Sequence, residues 1–125
     1  MNRTSRIRVL LADVPGVIAP LLVQMIAQQP DMILVGQVEG SLEVLIAAGQ
    51  GADVVILGAP QLRPPPGIIS HLLNAFPTIK VMLFSHREDA AVGYWLGVRR
   101  CPVKVVTEQS ILADVRRLHM LTPTV

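Results

Sequence analysis

The sequence predicts a doubly wound α/β domain: a five-stranded parallel sheet in strand order 2-1-3-4-5, with helices on both faces. Three observations predict it. Short apolar runs alternate with segments of helical apolar spacing five times along the 125 residues. The runs are continuously apolar, as strands covered by helices on both faces require. The composition, 51% hydrophobic against 16% charged, excludes disorder and supplies one domain with a core. It leaves more apolar residues than one small core needs, which hints at a buried interface.

Residues 7–12 (IRVLLA) read as the first strand, broken by Pro15 and Gly16. Residues 17–29 carry Ile18, Leu21, Leu22, Met25 and Ile26 at helical spacing, and Pro30 stops that helix. Residues 32–38 (MILVGQV) are the second strand. Ser41 is placed to cap a helix over 42–48, which Gly49 and Gly51 end. Residues 54–57 are the third strand. Residues 58–67 (GAPQLRPPPG) hold three successive prolines, which lack N–H donors, so this segment is a loop. Residues 68–75 are a third helix, ended by Pro77, and 80–84 (KVMLF) are the fourth strand. The spacing then predicts a helix over 89–98, with Tyr94 and Trp95, and a fifth strand over 103–106 (VKVV). Thr107 is placed to cap a last helix over 108–119, with Ile111, Leu112, Val115 and Leu118 inward. The whole chain, 1–125, is one domain with its core over 6–118. Residues 119–125 read as a tail or the start of a linker.

A net charge of +2 is too small to argue for nucleic acid or membrane. Aromatics at 3% give no stacking surface for single strands. The basic residues gather at the two ends of the chain and read as solvated helix ends and strand edges. Cys101 is the single cysteine, so no internal disulfide forms; it reads as an inert core thiol. Residues 1–8 carry three arginines and no signal-peptide pattern, and no apolar run reaches the roughly 18 residues of a membrane span. The expectation is a soluble, cytoplasmic protein.

Several segments, in this order and spacing, resemble a response-regulator receiver domain, the flavodoxin-like fold of CheY. They are residues 6–15 (RIRVLLADVP), 30–37 (PDMILVGQ), 52–57 (ADVVIL) and 81–85 (VMLFS), and the resemblance covers about 6–118. The second segment is most like regulators that carry a helix-turn-helix output domain. The resemblance implies a site at the C-terminal ends of the strands. There an acidic pair holds Mg²⁺, an aspartate ending the third strand accepts a phosphoryl group, and a Ser/Thr and a Lys bind the phosphate.

Carried over residue by residue, that set is incomplete. Asp13 matches the first acid, but Val14 stands at the second and Gly58 stands where the acceptor aspartate belongs. Ser85 matches the Ser/Thr. Lys104 matches the lysine if the last helix starts at Thr107; a gapless alignment puts Thr107 there instead. Glycine has no side chain to phosphorylate, and one carboxylate does not make an octahedral Mg²⁺ site. The surviving residues also have structural readings: Asp13 accepting backbone N–H bonds, Ser85 as a loop hydroxyl, Lys104 reaching solvent.

No glycine-rich phosphate loop follows the first strand, and His71, His86 and His119 have no metal-ligand spacing. No nucleophile, base and oxyanion set assembles, so no enzyme, cofactor or metal is expected. The Arg63 to Pro66 run reads as a stiffened loop more readily than as a polyproline ligand.

The expected function is that of a non-phosphorylatable receiver-like regulatory module acting through protein–protein contact, as a homodimer or with a protein partner. A DNA-binding output domain is a further partner if the chain is a fragment. The alternative is a small-ligand or anion sensor using the vacated pocket. The expected partner face holds Tyr94, Trp95, Arg99, Arg100, Arg116 and Arg117, residue types that dominate interfaces. Packing of Trp95 into the core is the competing expectation. The first helix is the rival face, with Val17, Leu22, Val23 and Ile26.

Overall fold

The computed structural model describes residues 6–96, 99–103 and 108–120, with the backbone alone at 99–103 and 108–111. Its elements run β1 (Ile7–Ala12), α1 (Ala19–Ala27), β2 (Met32–Val38), α2 (Ser41–Gly49), β3 (Val54–Gly58), α3 (Ile68–Ala75), β4 (Lys80–Ser85), β5 (Ala90–Trp95), β6 (Arg99–Val103) and α4 (Glu108–Met120). They form one sheet in the order β2-β1-β3-β4-β5-β6. The first four strands are parallel. The doubly wound 2-1-3-4-5 order expected from the sequence is present, with a sixth strand added beyond it.

The apolar runs of the sequence become the two-sided core. Every residue of β3 and β4 is buried, and of β1 only Arg8 is exposed. On one face Val9, Leu11, Val54, Ile56, Met82 and Phe84 pack beneath α1 and α4, through Leu22, Ile26, Leu112, Val115 and Leu118. On the other, Leu10, Val55, Leu57, Val81 and Leu83 pack beneath α2 and α3, through Val44, Ala48, Ile69 and Leu72. Side chains alternate along each strand, so one continuous run serves both layers.

The structure corrects the sequence reading between β4 and α4. Residues 89–96 of the expected 89–98 helix are not helical: residues 86–89 turn the chain back, and β5 pairs antiparallel with β4, then β6 with β5. The segment AAVGYW explains this. Val92, Tyr94 and Trp95 favour strands, and Gly93 costs a helix about 1 kcal/mol relative to Ala. Burial alternates strictly along β5, with Ala91, Gly93 and Trp95 inside. An antiparallel neighbour needs only a tight turn, where a parallel one needs a crossover. Of the expected fifth strand over 103–106, Val103 is the last residue of β6, and residues 104–106 lie outside the described residues. Lys104 is thus outside them, as is Thr107.

Two helix starts also differ. α1 begins at Ala19 with Pro20 in its first turn, two residues later than the spacing suggested. Ser41 does not cap α2; Gly40 holds the cap position at φ 90°, a conformation glycine adopts without strain, and no side chain bonds there.

At the N-terminal ends of the strands, polar residues tie the layers. The Asp53 carboxylate accepts the Arg8 backbone N–H at 2.9 Å. Arg116 of α4 grips Asp31 with two hydrogen bonds, 2.7 and 3.0 Å, and donates a third to Gln29. Lys80, whose ammonium burial pushes down, donates to the His119 carbonyl at the end of α4.

Candidate functional site

The loops after β1, β3 and β4 meet at the C-terminal edge of the sheet, where open α/β sheets place their sites. Asp13 follows β1 in the left-handed region, φ 53°. Its N–H donates to the Val38 carbonyl and its carboxylate accepts the Gly40 N–H at 2.9 Å. Asp13 thus pins the loop after β1 onto the loop after β2. Val14 turns inward and is buried beneath α1.

Gly58 ends β3 directly beneath this backbone. A Cβ added there would lie 2.5 Å from the Asp13 carbonyl oxygen and 3.0 Å from the Val14 Cα. Both neighbours are main chain, so neither can swing aside. The Cβ position of residue 58 is thus crowded by the backbone of residues 13 and 14.

Ser85, at the end of β4, is fully buried. Its hydroxyl donates to the Pro60 carbonyl at 3.0 Å and accepts the Glu88 N–H at 3.1 Å. The Glu88 carboxylate in turn accepts the Leu62 N–H at 3.3 Å. The loop after β3 is therefore stapled to the β4–β5 turn.

Above these residues lies an open concavity of about 550 Å³ lined by Asp13, Gly58, Ala59, His86, Arg87 and prolines 15, 60 and 66. Asp13 is the one carboxylate among its lining residues. The structure thus brings Asp13, Val14, Gly58 and Ser85 of the expected set to one place, while Lys104 lies outside the described residues. His86 and Arg87 were missed there, though their position directly after a strand-ending serine was a usable signal.

The expected partner face fares differently. Tyr94 and Trp95 are successive residues of a strand and point to opposite sides of the sheet. Trp95 is buried against the α1 and α4 layer, the competing expectation. Tyr94 is half-buried on the α3 side, in a cleft of about 290 Å³ with Ile69, Leu73 and Leu96. Arg116 is engaged by Asp31 and Gln29, and Arg117 by Asp114. The side chains of Arg99 and Arg100 lie outside the described residues. The two aromatics and the two helical arginines do not present a common surface. On the rival face, Leu22 and Ile26 prove to be core, Val23 packs partly buried against that core, and Val17 is exposed.

The fold is the doubly wound flavodoxin-like, CheY-like one. It is similar to that of the two-component response regulator RcsB, whose structure was solved in complex with DNA. The TM-score is 0.56 and the identity 18%, over 68% of this chain and 45% of that one. The chain thus spans under half the length of that regulator, and the likeness at this identity concerns the fold. No protein-family model and no curated protein matches the chain. Among the described residues no helix is long and apolar enough to cross a membrane.

Proposed function

We propose that this chain is a receiver-like signalling module that accepts no phosphoryl group and acts in the cytoplasm by binding protein, not as an enzyme. One observation carries the reading: the backbone of residues 13 and 14 lies where the Cβ of an acceptor side chain at residue 58 would stand. The neighbouring groups agree with it. The Asp13 carboxylate and the Ser85 hydroxyl, which would serve metal and phosphate, are held by backbone partners of the chain itself. A joined DNA-binding output domain, as the likeness to RcsB suggests, is one form such a partner takes. The test is intact-mass measurement after incubation with acetyl phosphate and Mg²⁺. The expected spectrum has a single unmodified species; an acid-labile adduct of one phosphoryl group per chain would sink the reading.

The concavity supports a second reading, an anion sensor. His86 and Arg87 line it together with prolines, which present rigid apolar walls. Calorimetric titration with inorganic phosphate tests it: binding abolished by Arg87→Ala would favour the sensor, and absence of heat would remove it.

A further inference from the structure

The two edges of the sheet differ. β6 carries Arg99, Arg100 and Pro102, residues that keep an open edge from pairing with another strand. β2, the opposite edge, is MILVGQV, without a charge or a proline. Its Ile33 and Val35 are 39% and 42% exposed. The register with β1 passes from Leu34 to Gly36, so Val35 is bulged out and has no partner on β1.

The helices that pack on β2 from either side continue this surface. Val17, in the turn before α1, is 81% exposed, and Leu21 of α1 is 44% exposed; on α2, Leu42 and Ile46 lie one turn apart at 68% and 49%. Of the seven large exposed hydrophobics among the described residues, all but Met120 belong to this end of the molecule. Apolar exposure so concentrated marks an interface.

The charges select the occupant. Residues 15–30, which include α1, carry no charged side chain, so two copies of this helix can approach without repulsion. No Lys or Arg occurs between Arg8 and Arg63. The strand β2 is flanked by Asp31 before it and Glu39 after it. Antiparallel pairing with a copy brings Glu39 to the opposite end, where Arg116, still 39% exposed, already holds Asp31. At each end of the joint Asp31 of one copy and Glu39 of the other thus share a single arginine, Arg116.

We propose that two copies of this chain pair β2 to β2, antiparallel about a twofold axis, joining their sheets into one. Such an interface is self-complementary and closes at two subunits. It covers Ile33 and Val35 at the seam and brings α1 and α2 beside their counterparts. The proposal deepens the reading of the chain as a binding module by naming the partner of one surface, a second copy.

Sedimentation velocity of the full chain across the micromolar range tests it, with a dimer expected. Val35→Lys places a charge on the edge and is expected to weaken the dimer at least tenfold, its circular dichroism unchanged. Should that variant not fold, amide hydrogen exchange of the wild type on dilution decides: residues 32–38 lose protection as the dimer dissociates. A monomer at all concentrations, a Val35→Lys chain that dimerises like the wild type, or dissociation that leaves β2 exchange unchanged would each overturn the proposal. Phosphoryl uptake is measured separately. A monomer that takes no phosphate would remove the dimer and leave the receiver reading standing.

Discussion

Ser85 occupies the position where the receiver resemblance puts a phosphate-binding hydroxyl, yet its hydroxyl bridges Pro60 and Glu88 within the chain. Removing it leaves two backbone groups to find other partners, so Ser85→Ala is expected to cost about 1–2 kcal/mol in urea denaturation. A change within experimental error would show that the staple is dispensable. Asp13 and Ser85 were legible in the sequence because strand ends can be located from the apolar runs. The closure over Gly58 was not. It depends on the left-handed turn at Asp13, which brings a carbonyl over the end of β3. No residue type announces that turn, since aspartate adopts it only where its surroundings favour it.

Among the elements, the β5–β6 hairpin is the largest departure from what the chain's local pattern suggested. Residues 90–95 are apolar on nearly every side, and such a segment has no period that distinguishes helix from strand. β-Branched and aromatic content should have decided it, together with Gly93. The hairpin makes a specific demand at Asp89, which closes the turn at φ 52°. Asp89→Gly is therefore expected to hold stability or raise it by up to about 1 kcal/mol, because glycine adopts this conformation without strain. If residue 89 began a helix, the same change would lower stability through lost N-terminal charge and propensity. Chemical denaturation of the two chains separates the cases. The remaining elements, β1 through β4 and α4, lie within two residues of the bounds read from the sequence, because each is bounded by a proline, a glycine or a change of period.

For the molecule as a whole, α4 closes one layer, and one of its polar ties is Arg116 to Asp31. The hydrogen bonds from Arg116 hold the Asp31 carboxyl below the usual carboxylate range. An acid depressed in the folded state adds stability above its unfolded pKa, and that stability is lost as pH falls through the folded one. The tie is thus complete at neutral pH and fades below about pH 4. Both partners are more than a third exposed, so Arg116→Ala is expected to cost no more than about 1 kcal/mol at pH 7. It should also flatten the acid limb of the stability profile. An unchanged acid limb would mean that Asp31 is not the group responsible.

The proposed loss of phosphoryl transfer rests on backbone crowding at the Cβ of residue 58 as well as on the missing carboxylate. Restoring the carboxylate tests it most directly. Gly58→Asp forces a Cβ against the Asp13 carbonyl and is expected to destabilise the fold by about 1–3 kcal/mol. Intact-mass measurement of Gly58→Asp after treatment with acetyl phosphate and Mg²⁺ should show no phosphoryl adduct. A folded Gly58→Asp chain that takes up one phosphoryl group would contradict the account.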